Sequence, residues 1–153
     1  MQLKSLTVLH AEDDSNDVLL LKRAVAKLGL THRFFYVGNG EEAIHYLRAE
    51  GEFSDRVKFP FPNMLIVDLK MPKKGGLDVL QWLSTHDECG VIPTMVLTSS
   101  AQPDDIKRSY QLAACGYFTK PSNLAEWNQL FDVILAYWRV AHVPEPPPKS
   151  ICR

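Results

Sequence analysis

Short apolar runs alternate along the chain with stretches whose apolar residues recur at spacings of three and four. Five short runs are rich in β-branched, aliphatic and aromatic residues and predict strands, at 6–11, 33–37, 64–67, 94–98 and 117–119. The stretches between and after them, such as the one carrying Val18, Leu21 and Val25, predict helices. Strand and helix alternate five times, which predicts an α/β domain with a doubly wound, parallel five-stranded sheet.

Capping residues indicate where several helices begin. Ser15 is a candidate N-cap for the first helix, Asn39 with Glu42 resembles a capping box, Pro103 can open a helix, and Ser122 can cap the last one. Further helices are expected at about 77–86 and 124–141. Charges, aromatics and prolines at 51–62 predict a long loop.

The last 12 residues break the pattern. Prolines at 144 and 146–148 exclude a helix and favour an extended arm or a disordered tail. We therefore expect one domain over 1–141 and a Pro-rich C-terminal extension over 142–153.

Composition narrows the class of protein. The chain has 153 residues, is 46% hydrophobic and carries a net charge of -1, as expected for one globular domain. This charge disfavours non-specific binding to nucleic acid or to an anionic membrane. No apolar run approaches the length of about 20 residues that spans a bilayer, and carboxylates follow the N-terminus too early for a secretory signal. The sequence predicts a cytoplasmic protein.

Polar residues with chemical potential follow four of the predicted strands. Ligands of open parallel sheets bind at the carboxyl ends of the strands, so these residues should meet at one edge. They are Glu12, Asp13 and Asp14 after the first strand, Asp68 after the third, Thr98, Ser99 and Ser100 at the fourth, and Lys120 after the fifth.

These residue types suit phosphoryl transfer. Mg²⁺ takes hard oxygen ligands, which Glu12, Asp13 and Asp68 could supply. An ionised aspartate can also act as an oxygen nucleophile and form an aspartyl-phosphate. The Thr98 hydroxyl and the Lys120 ammonium could then hold the phosphoryl oxygens. Each residue alone is more typical of a cap or a solvated charge, but their joint occurrence at successive strand ends is not.

Four motifs, VLHAEDD, LIVDLKMPKKGG, MVLTSSA and GYFTKP, resemble the receiver domains of two-component response regulators. The resemblance covers residues 3–141. It implies a flavodoxin-like (βα)5 fold with strand order 2-1-3-4-5. It also implies that a sensor histidine kinase phosphorylates Asp68 and that Glu12, Asp13 and Asp68, with the backbone carbonyl of Lys70, hold Mg²⁺.

The resemblance implies further roles. Thr98 and Lys120 would contact the phosphoryl group, and the Tyr117 ring would follow the movement of Thr98. Lys70 and Ser100 lie where receivers tune the rate of autodephosphorylation. The resemblance also implies a cis peptide bond between Lys120 and Pro121.

A tail of this length cannot form an effector domain, so we expect a single-domain signalling protein rather than an enzyme. The finer likeness is to the regulators paired with bacterial and cyanobacterial phytochrome kinases, which makes such a kinase a candidate partner. Two alternatives stay open. One is a magnesium-dependent aspartyl-phosphate phosphatase of the haloacid dehalogenase type, although such enzymes start with a DxDG-like motif on the first core strand. The other is a receiver-like scaffold that is never phosphorylated, although no acidic, threonine or lysine position is lost.

The last predicted helix has more apolar surface than one sheet consumes. One stripe, formed by Leu124, Trp127, Phe131, Ile134 and Trp138, is expected to cover the sheet. A second set remains on an adjoining face, namely Leu130, Val133, Tyr137 and Val140. This pattern predicts a homodimer through the last helix and the C-terminal arm, with Val143 and Ile151 as anchors on the other subunit. Deeper burial of the helix is the alternative.

Overall fold

Five parallel strands form one sheet in the order β2-β1-β3-β4-β5 in the computed structural model, which describes residues 5–27, 32–145 and 147. The strands are β1 (Thr7–Ala11), β2 (Arg33–Val37), β3 (Met64–Val67), β4 (Thr94–Thr98) and β5 (Gly116–Thr119). The order and the flavodoxin-like class confirm the expectation from the sequence.

Six α-helices cover the sheet: α1 (Ser15–Lys27), α2 (Gly40–Leu47), α3 (Gly76–Ser84), α4 (Asp87–Gly90), α5 (Pro103–Gln111) and α6 (Leu124–Val140). Side chains of a strand alternate between the two faces, so each face has its own core. Helices α1 and α6 pack on one face, around Leu21, Trp127 and Phe131. Helices α2 and α3 bury the other face, around Tyr46 and Leu80.

The caps differ from the predicted ones at two helices. Asp14, not Ser15, caps α1, because its side chain accepts the amide of Asn16 at 2.8 Å. Asn123, not Ser122, caps α6 by accepting the amide of Glu126 at 3.0 Å. In both cases the neighbouring residue offers a similar side chain, and the backbone direction decides which one reaches the free amides.

Helix α2 is capped by Asn39, as predicted, since its side chain accepts the amide of Glu42. The Glu42 carboxylate accepts the amide of Gly38 rather than that of Asn39, so the capping box is shifted by one residue. Helix α3 ends at Ser84, and the separate one-turn helix α4 was not predicted. Gly29, a residue that commonly ends a helix, follows α1 in the sequence and lies outside the described residues.

The segment predicted as a long loop is ordered around one arginine. A 3-10 turn at Gly51–Phe53 buries Phe53 against Tyr46. The Arg56 guanidinium donates to the carbonyls of Tyr46 and Leu47, at 2.8 and 2.7 Å, and to that of Phe59 at 3.3 Å. The loop therefore closes over the end of α2.

Helix α6 has the two apolar faces that its sequence indicates. Trp127, Phe131, Ile134 and Trp138 are buried, whereas Leu124 is 40% exposed and lies at the edge of this stripe because it is the first helical residue. On the other face, Val133, Tyr137 and Val140 are 64%, 59% and 68% exposed, and Leu130 is half-buried. The alternative of a deeply buried helix is therefore wrong.

The start of the tail follows the domain itself. Val143 is partly buried against the core of its own chain, which lies beneath α1 and α6. Its role as an anchor on another subunit stays a prediction. Ile151 lies outside the described residues. Among the described helices, none is both long and apolar enough to cross a bilayer.

Candidate functional site

The carboxyl ends of β1, β3, β4 and β5 bring the predicted residues together at one edge of the sheet. The strands are paired in register, with Ala11 beside Val67 and Val67 beside Val96, so the residues that follow them are neighbours. Glu12 and Asp68 are each 3% exposed, and Thr98 is fully buried. Continuous apolar strands therefore end in buried polar side chains.

Three carboxylates form a candidate metal centre. One oxygen from each of Glu12, Asp13 and Asp68 lies within 4.8 Å of the others, and Asp13 is exposed to solvent. The amide of Lys70 donates to Asp68 Oδ1 at 3.2 Å and helps to orient the carboxylate. Hard oxygen ligands with one open side fit a cation such as Mg²⁺, which keeps part of its hydration shell. The residues present therefore fit the divalent ion implied by the sequence.

Lys120 lies at the centre of the carboxylates. Its Nζ is 2.6 Å from Asp68 Oδ2, 2.8 Å from Glu12 Oε2 and 2.6 Å from Asp17 Oδ2. The lysine side chain is 12% exposed, so these ion pairs are largely shielded from water. Contact with Asp68 and Glu12 agrees with the predicted position, whereas Asp17 was not predicted.

The pKa values reflect this sharing of one cation. Burial raises the pKa of Glu12 to about 7, and the hydrogen bond from Lys120 only partly opposes it. Burial also acts to raise the pKa of Asp68, but hydrogen bonds from Lys120 and Thr98 outweigh it and leave that pKa below its usual value. Burial would lower the pKa of Lys120, yet its bonds to Asp17, Asp68 and Glu12 raise it. Asp68 is thus the ionised carboxylate, and Lys120 is its cation.

Comparison with known proteins identifies the family and supports the fold. The family described as the response regulator receiver domain matches residues 8–132. The chain belongs to this family. The family match also excludes the alternative of a haloacid dehalogenase phosphatase.

Two relatives of this receiver are regulators of similar length. The probable methanogenesis regulatory protein FilR2 of Methanothrix harundinacea is 32% identical over 86% of this chain and 82% of its own. Response regulator Rcp1 of Synechocystis is 30% identical over 86% of this chain and 87% of its own. The crystal structure of the Mn²⁺-bound form of Rcp1 has a TM-score of 0.82 and 29% identity, covering 92% of this chain and 99% of that one.

A third similar protein is the cyanobacterial phytochrome response regulator RcpA, solved in its phosphorylated form. It superposes with a TM-score of 0.85 at 33% identity and covers 93% of this receiver and 100% of its own chain. The receiver is therefore close to the phytochrome response regulators, as its motifs suggest.

The other predicted site residues are Thr98, Ser100 and Tyr117, and they are in contact with one another. The Thr98 hydroxyl lies near enough to Asp68 to help lower the pKa of its carboxylate. Ser100 is buried, and its hydroxyl donates to Asp105 Oδ2. The Tyr117 hydroxyl donates to the carbonyl of Ser100 at 2.8 Å, which ties the ring to the segment after β4. Thr98 and Tyr117 are thus connected through the short segment that runs from Thr98 to Ser100.

The receiver departs from the resemblance at one bond. No peptide bond among the described residues is cis, so Lys120 and Pro121 are joined by a trans bond. The trans form is the intrinsically favoured one at proline, by about 0.5–1 kcal/mol. Lys120 reaches Asp68 from this backbone.

Asp17 is the site residue that the sequence analysis did not identify. It lies in the first turn of α1, where an acidic residue favours the helix dipole and gives no sign of another role. No local pattern marks its second role, because its contact with Lys120 is made only in the tertiary fold.

Proposed function

We propose that this receiver accepts a phosphoryl group on Asp68 from the phosphohistidine of a sensor kinase, in a reaction that depends on Mg²⁺. The observation that carries the proposal is the Asp68 carboxylate itself. It is buried at the end of β3, its pKa is low, and its Oδ2 lies 2.6 Å from Lys120 Nζ. Two further carboxylates, Glu12 and Asp13, are within reach of the same cation.

The proposed step exchanges one bond for another. The bond from phosphorus to the imidazole nitrogen breaks and a bond from phosphorus to an Asp68 oxygen forms. The kinase histidine, protonated on its other ring nitrogen, leaves as neutral imidazole. Mg²⁺ would be held by Glu12, Asp13 and Asp68, with the Lys70 carbonyl as a further ligand, and would neutralise charge as it builds up on the phosphoryl oxygens. Lys120 offers a fixed positive charge on the other side.

Intact mass after incubation with a small acyl phosphate and Mg²⁺ tests the proposal. We expect one added phosphoryl group on the parent chain and none on Asp68→Asn, which keeps the size of the side chain. Asp87→Asn is the matched control, because Asp87 is exposed in α4, far along the chain from the site. A parent that takes up no phosphate would favour the receiver-like scaffold, and an Asn variant labelled like the parent would exclude Asp68.

The exposed ligand Asp13 gives a separate test of the metal site. Asp13→Asn removes one charged ligand, so Mg²⁺ affinity should fall about tenfold or more. Calorimetric titration measures this directly, without phosphorylation. An unchanged dissociation constant would remove Asp13 from the proposed ligand set.

The switch that we propose runs through Thr98 and Tyr117. A phosphoryl group on Asp68 offers the Thr98 hydroxyl a stronger, charged acceptor. Movement of Thr98 would shift the segment that holds the Tyr117 hydroxyl through the Ser100 carbonyl. Thr98→Ala should therefore still be labelled, yet lose most of the phosphorylation-dependent change in partner affinity. A full response from Thr98→Ala would contradict this coupling.

Two positions are proposed to set the lifetime of the phosphorylated state. Lys70 is exposed beside Asp68, whereas Ser100 is buried with its hydroxyl engaged by Asp105. Single exchanges, Lys70→Ala and Ser100→Ala, should change the rate at which label is lost from the isolated chain. If both variants lose the label at the same rate as the parent, neither position sets the lifetime of the phosphorylated state.

The proposed partner is a sensor histidine kinase of the phytochrome type. RcpA is a cyanobacterial phytochrome response regulator, and this chain is similar to it over nearly the whole structure. Phosphotransfer profiling against a panel of purified kinases should show fastest transfer from a phytochrome kinase. Preferred transfer from another class would overturn the pairing but not the receiver. The cytoplasmic location stays a prediction from the sequence.

We further propose that a second copy of the chain covers the exposed face of α6. Ala136 lies between Val133 and Val140, with Asp132 and Arg139 beside them. Two antiparallel copies centred on Ala136 would place apolar against apolar side chains and Asp132 near the opposite charge. This arrangement is self-complementary, as a two-fold interface must be.

Light scattering tests the dimer. The full chain should be dimeric, and Val133→Glu should be monomeric because it buries a charge at the interface. Ala125→Glu, at an exposed position in the first turn of α6, is the control. A monomeric parent removes the dimer, and an undiminished dimer in a chain that ends at Ala141 removes the role of the arm.

A further inference from the structure

Asp17 is the one partner of Lys120 that lies outside the candidate metal centre. The three carboxylate oxygens closest to Lys120 Nζ belong to Asp17, Asp68 and Glu12, at 2.6, 2.6 and 2.8 Å. The ammonium donates hydrogen bonds to Asp17 and Asp68 and forms an ion pair with Glu12. Asp68 and Glu12 belong to the metal-ligand cluster, whereas Asp17 does not.

This arrangement makes Lys120 a competitor of the metal ion. The ammonium and a divalent cation are both attracted to the oxygens of Glu12 and Asp68, and they repel each other. A bound cation therefore weakens two of the three ion pairs of Lys120. The Asp17 carboxylate is 19% exposed, so its attraction for the ammonium is only partly screened by water. Asp17 therefore keeps a charged partner for Lys120 when a cation binds to the other two carboxylates.

We propose that Asp17 is a positioning residue that draws the Lys120 ammonium aside so that Glu12 and Asp68 can bind Mg²⁺, and holds it beside Asp68 for the incoming phosphoryl group. The inference rests on the proposed function, because it uses the same metal and phosphoryl site. It adds an acidic residue on α1 that neither the predicted ligand set nor the predicted switch contains.

Neutralising Asp17 should therefore weaken Mg²⁺ binding, although Asp17 does not touch the ion. Asp17→Asn keeps an oxygen acceptor for Lys120 but removes the charge, so Lys120 should remain closer to Glu12 and Asp68. We expect the Mg²⁺ dissociation constant to rise about fivefold to tenfold, at the lower end of the effects seen for residues behind metal ligands. Asp17→Ala should have at least the same effect, and Asp17→Glu, which keeps the charge, should retain most of the affinity.

Calorimetric titration of the full chain with MgCl₂ measures these constants, and Asp14→Asn is the matched control. Asp14 is exposed, lies three residues from Asp17, and caps α1, which asparagine does equally well. It loses the same charge without touching Lys120, so its dissociation constant should change less than twofold. An equal effect in Asp14→Asn would mean that only the general field matters and would overturn the proposal.

A second measurement separates positioning from a merely structural role. Urea unfolding in EDTA reports the stability of each variant, and a structural role of Asp17 would lower stability and leave the Mg²⁺ dissociation constant of the folded protein unchanged. That result would overturn the inference and leave the proposed function intact. A parent chain that binds no Mg²⁺ would overturn both.

Discussion

Two partly buried cations of this receiver are held in opposite ways. Lys120 lies among three carboxylates, Glu12, Asp17 and Asp68. Arg56, in the segment that closes over the end of α2, donates to three backbone carbonyls. Carboxylates are charged groups that can turn to a metal ion or accept a phosphoryl group. Backbone carbonyls cannot be exchanged without unfolding the segment. The first arrangement suits a site that changes state, and the second suits a fixed clamp.

The chemistry of the two side chains matches these roles. Two of the carbonyls bound by Arg56 belong to Tyr46 and Leu47, at the end of α2, where helices leave carbonyls without partners. The planar guanidinium can reach several acceptors at once, and it also lies over the rings of Tyr46 and Phe61. Lysine has a compact charge on a flexible stem, which can move among neighbouring oxygens.

The largest effect is expected at Lys120. Lys120→Met leaves three close carboxylates without a cation, so the free energy of unfolding in EDTA should fall by about 3 kcal/mol. Saturating Mg²⁺ should recover much of this loss, because it neutralises the same oxygens. Urea unfolding with and without Mg²⁺ measures both values. Lys107→Met removes an exposed lysine as the control, and a loss at Lys120 that Mg²⁺ does not change would argue against a shared site.

Arg56 should show the opposite dependence. Arg56→Lys keeps the charge but cannot reach three carbonyls, so about 2–3 kcal/mol of stability should be lost. The loss should be the same with and without Mg²⁺, and phosphoryl uptake should be unchanged. Arg23→Lys, on the exposed side of α1, is the control for the substitution itself. Dependence on Mg²⁺ would mean that the clamp is coupled to the site.

The two cations also differ in how visible they are in the sequence. Asp68, Thr98 and Lys120 could be predicted, because each directly follows or ends a short apolar run and parallel strands end at one edge. Arg56 and Asp17 could not. Arg56 acts through backbone carbonyls, which every residue has, and Asp17 resembles any acidic residue in the first turn of a helix. Which of these groups meet is decided by tertiary packing rather than by local pattern.

The fold, like the site, has parts that could be predicted from the sequence and parts that could not. The strands were predicted within one residue, because a strand buried on both faces is apolar throughout. The caps of α1 and α6 were misplaced by one residue, since adjacent Asp14 and Ser15, or Ser122 and Asn123, are equally good candidates. The two faces of α6 were predicted, because helical periodicity makes both stripes visible.

His10 is a second basic residue near Asp68. Unlike Lys120, it is neutral in the folded protein. It is 1% exposed, its ring packs edge-on against Tyr36, and neither ring nitrogen has a hydrogen-bond partner within the described part of the chain. The pKa of His10 is lowered to about 3, first by burial and then by the charge of Lys120, while Asp68 opposes the shift. The folded state therefore excludes a proton that the unfolded state binds.

The sign of the pH effect follows from these values. Above pH 6.5 His10 is neutral in both states, and between pH 6.5 and 3 only the unfolded state is protonated, so stability falls as the pH falls. Between pH 7 and 5 this costs about 2 kcal/mol, at about 1.4 kcal/mol per pKa unit. His10→Phe should remove this part of the slope in EDTA. The difference in slope between variant and parent separates the contribution of His10 from that of the carboxylates.

The smallest effect is expected where the loop closed by Arg56 loses a single hydrogen bond and keeps its packing. The Tyr46 hydroxyl donates to the carbonyl of Pro60 at 2.9 Å, while its ring packs against Phe53 and Phe59. Tyr46→Phe removes the hydrogen bond alone, so stability should fall by about 1 kcal/mol, as for a single neutral hydrogen bond. Tyr110→Phe, at a half-exposed tyrosine, should change it by less than half as much. Because the loop is a fixed clamp, Mg²⁺ affinity should not change in either variant. A shift in Mg²⁺ affinity for Tyr46→Phe would show that the loop and the metal centre are coupled, and the contrast between the two cations would then no longer hold.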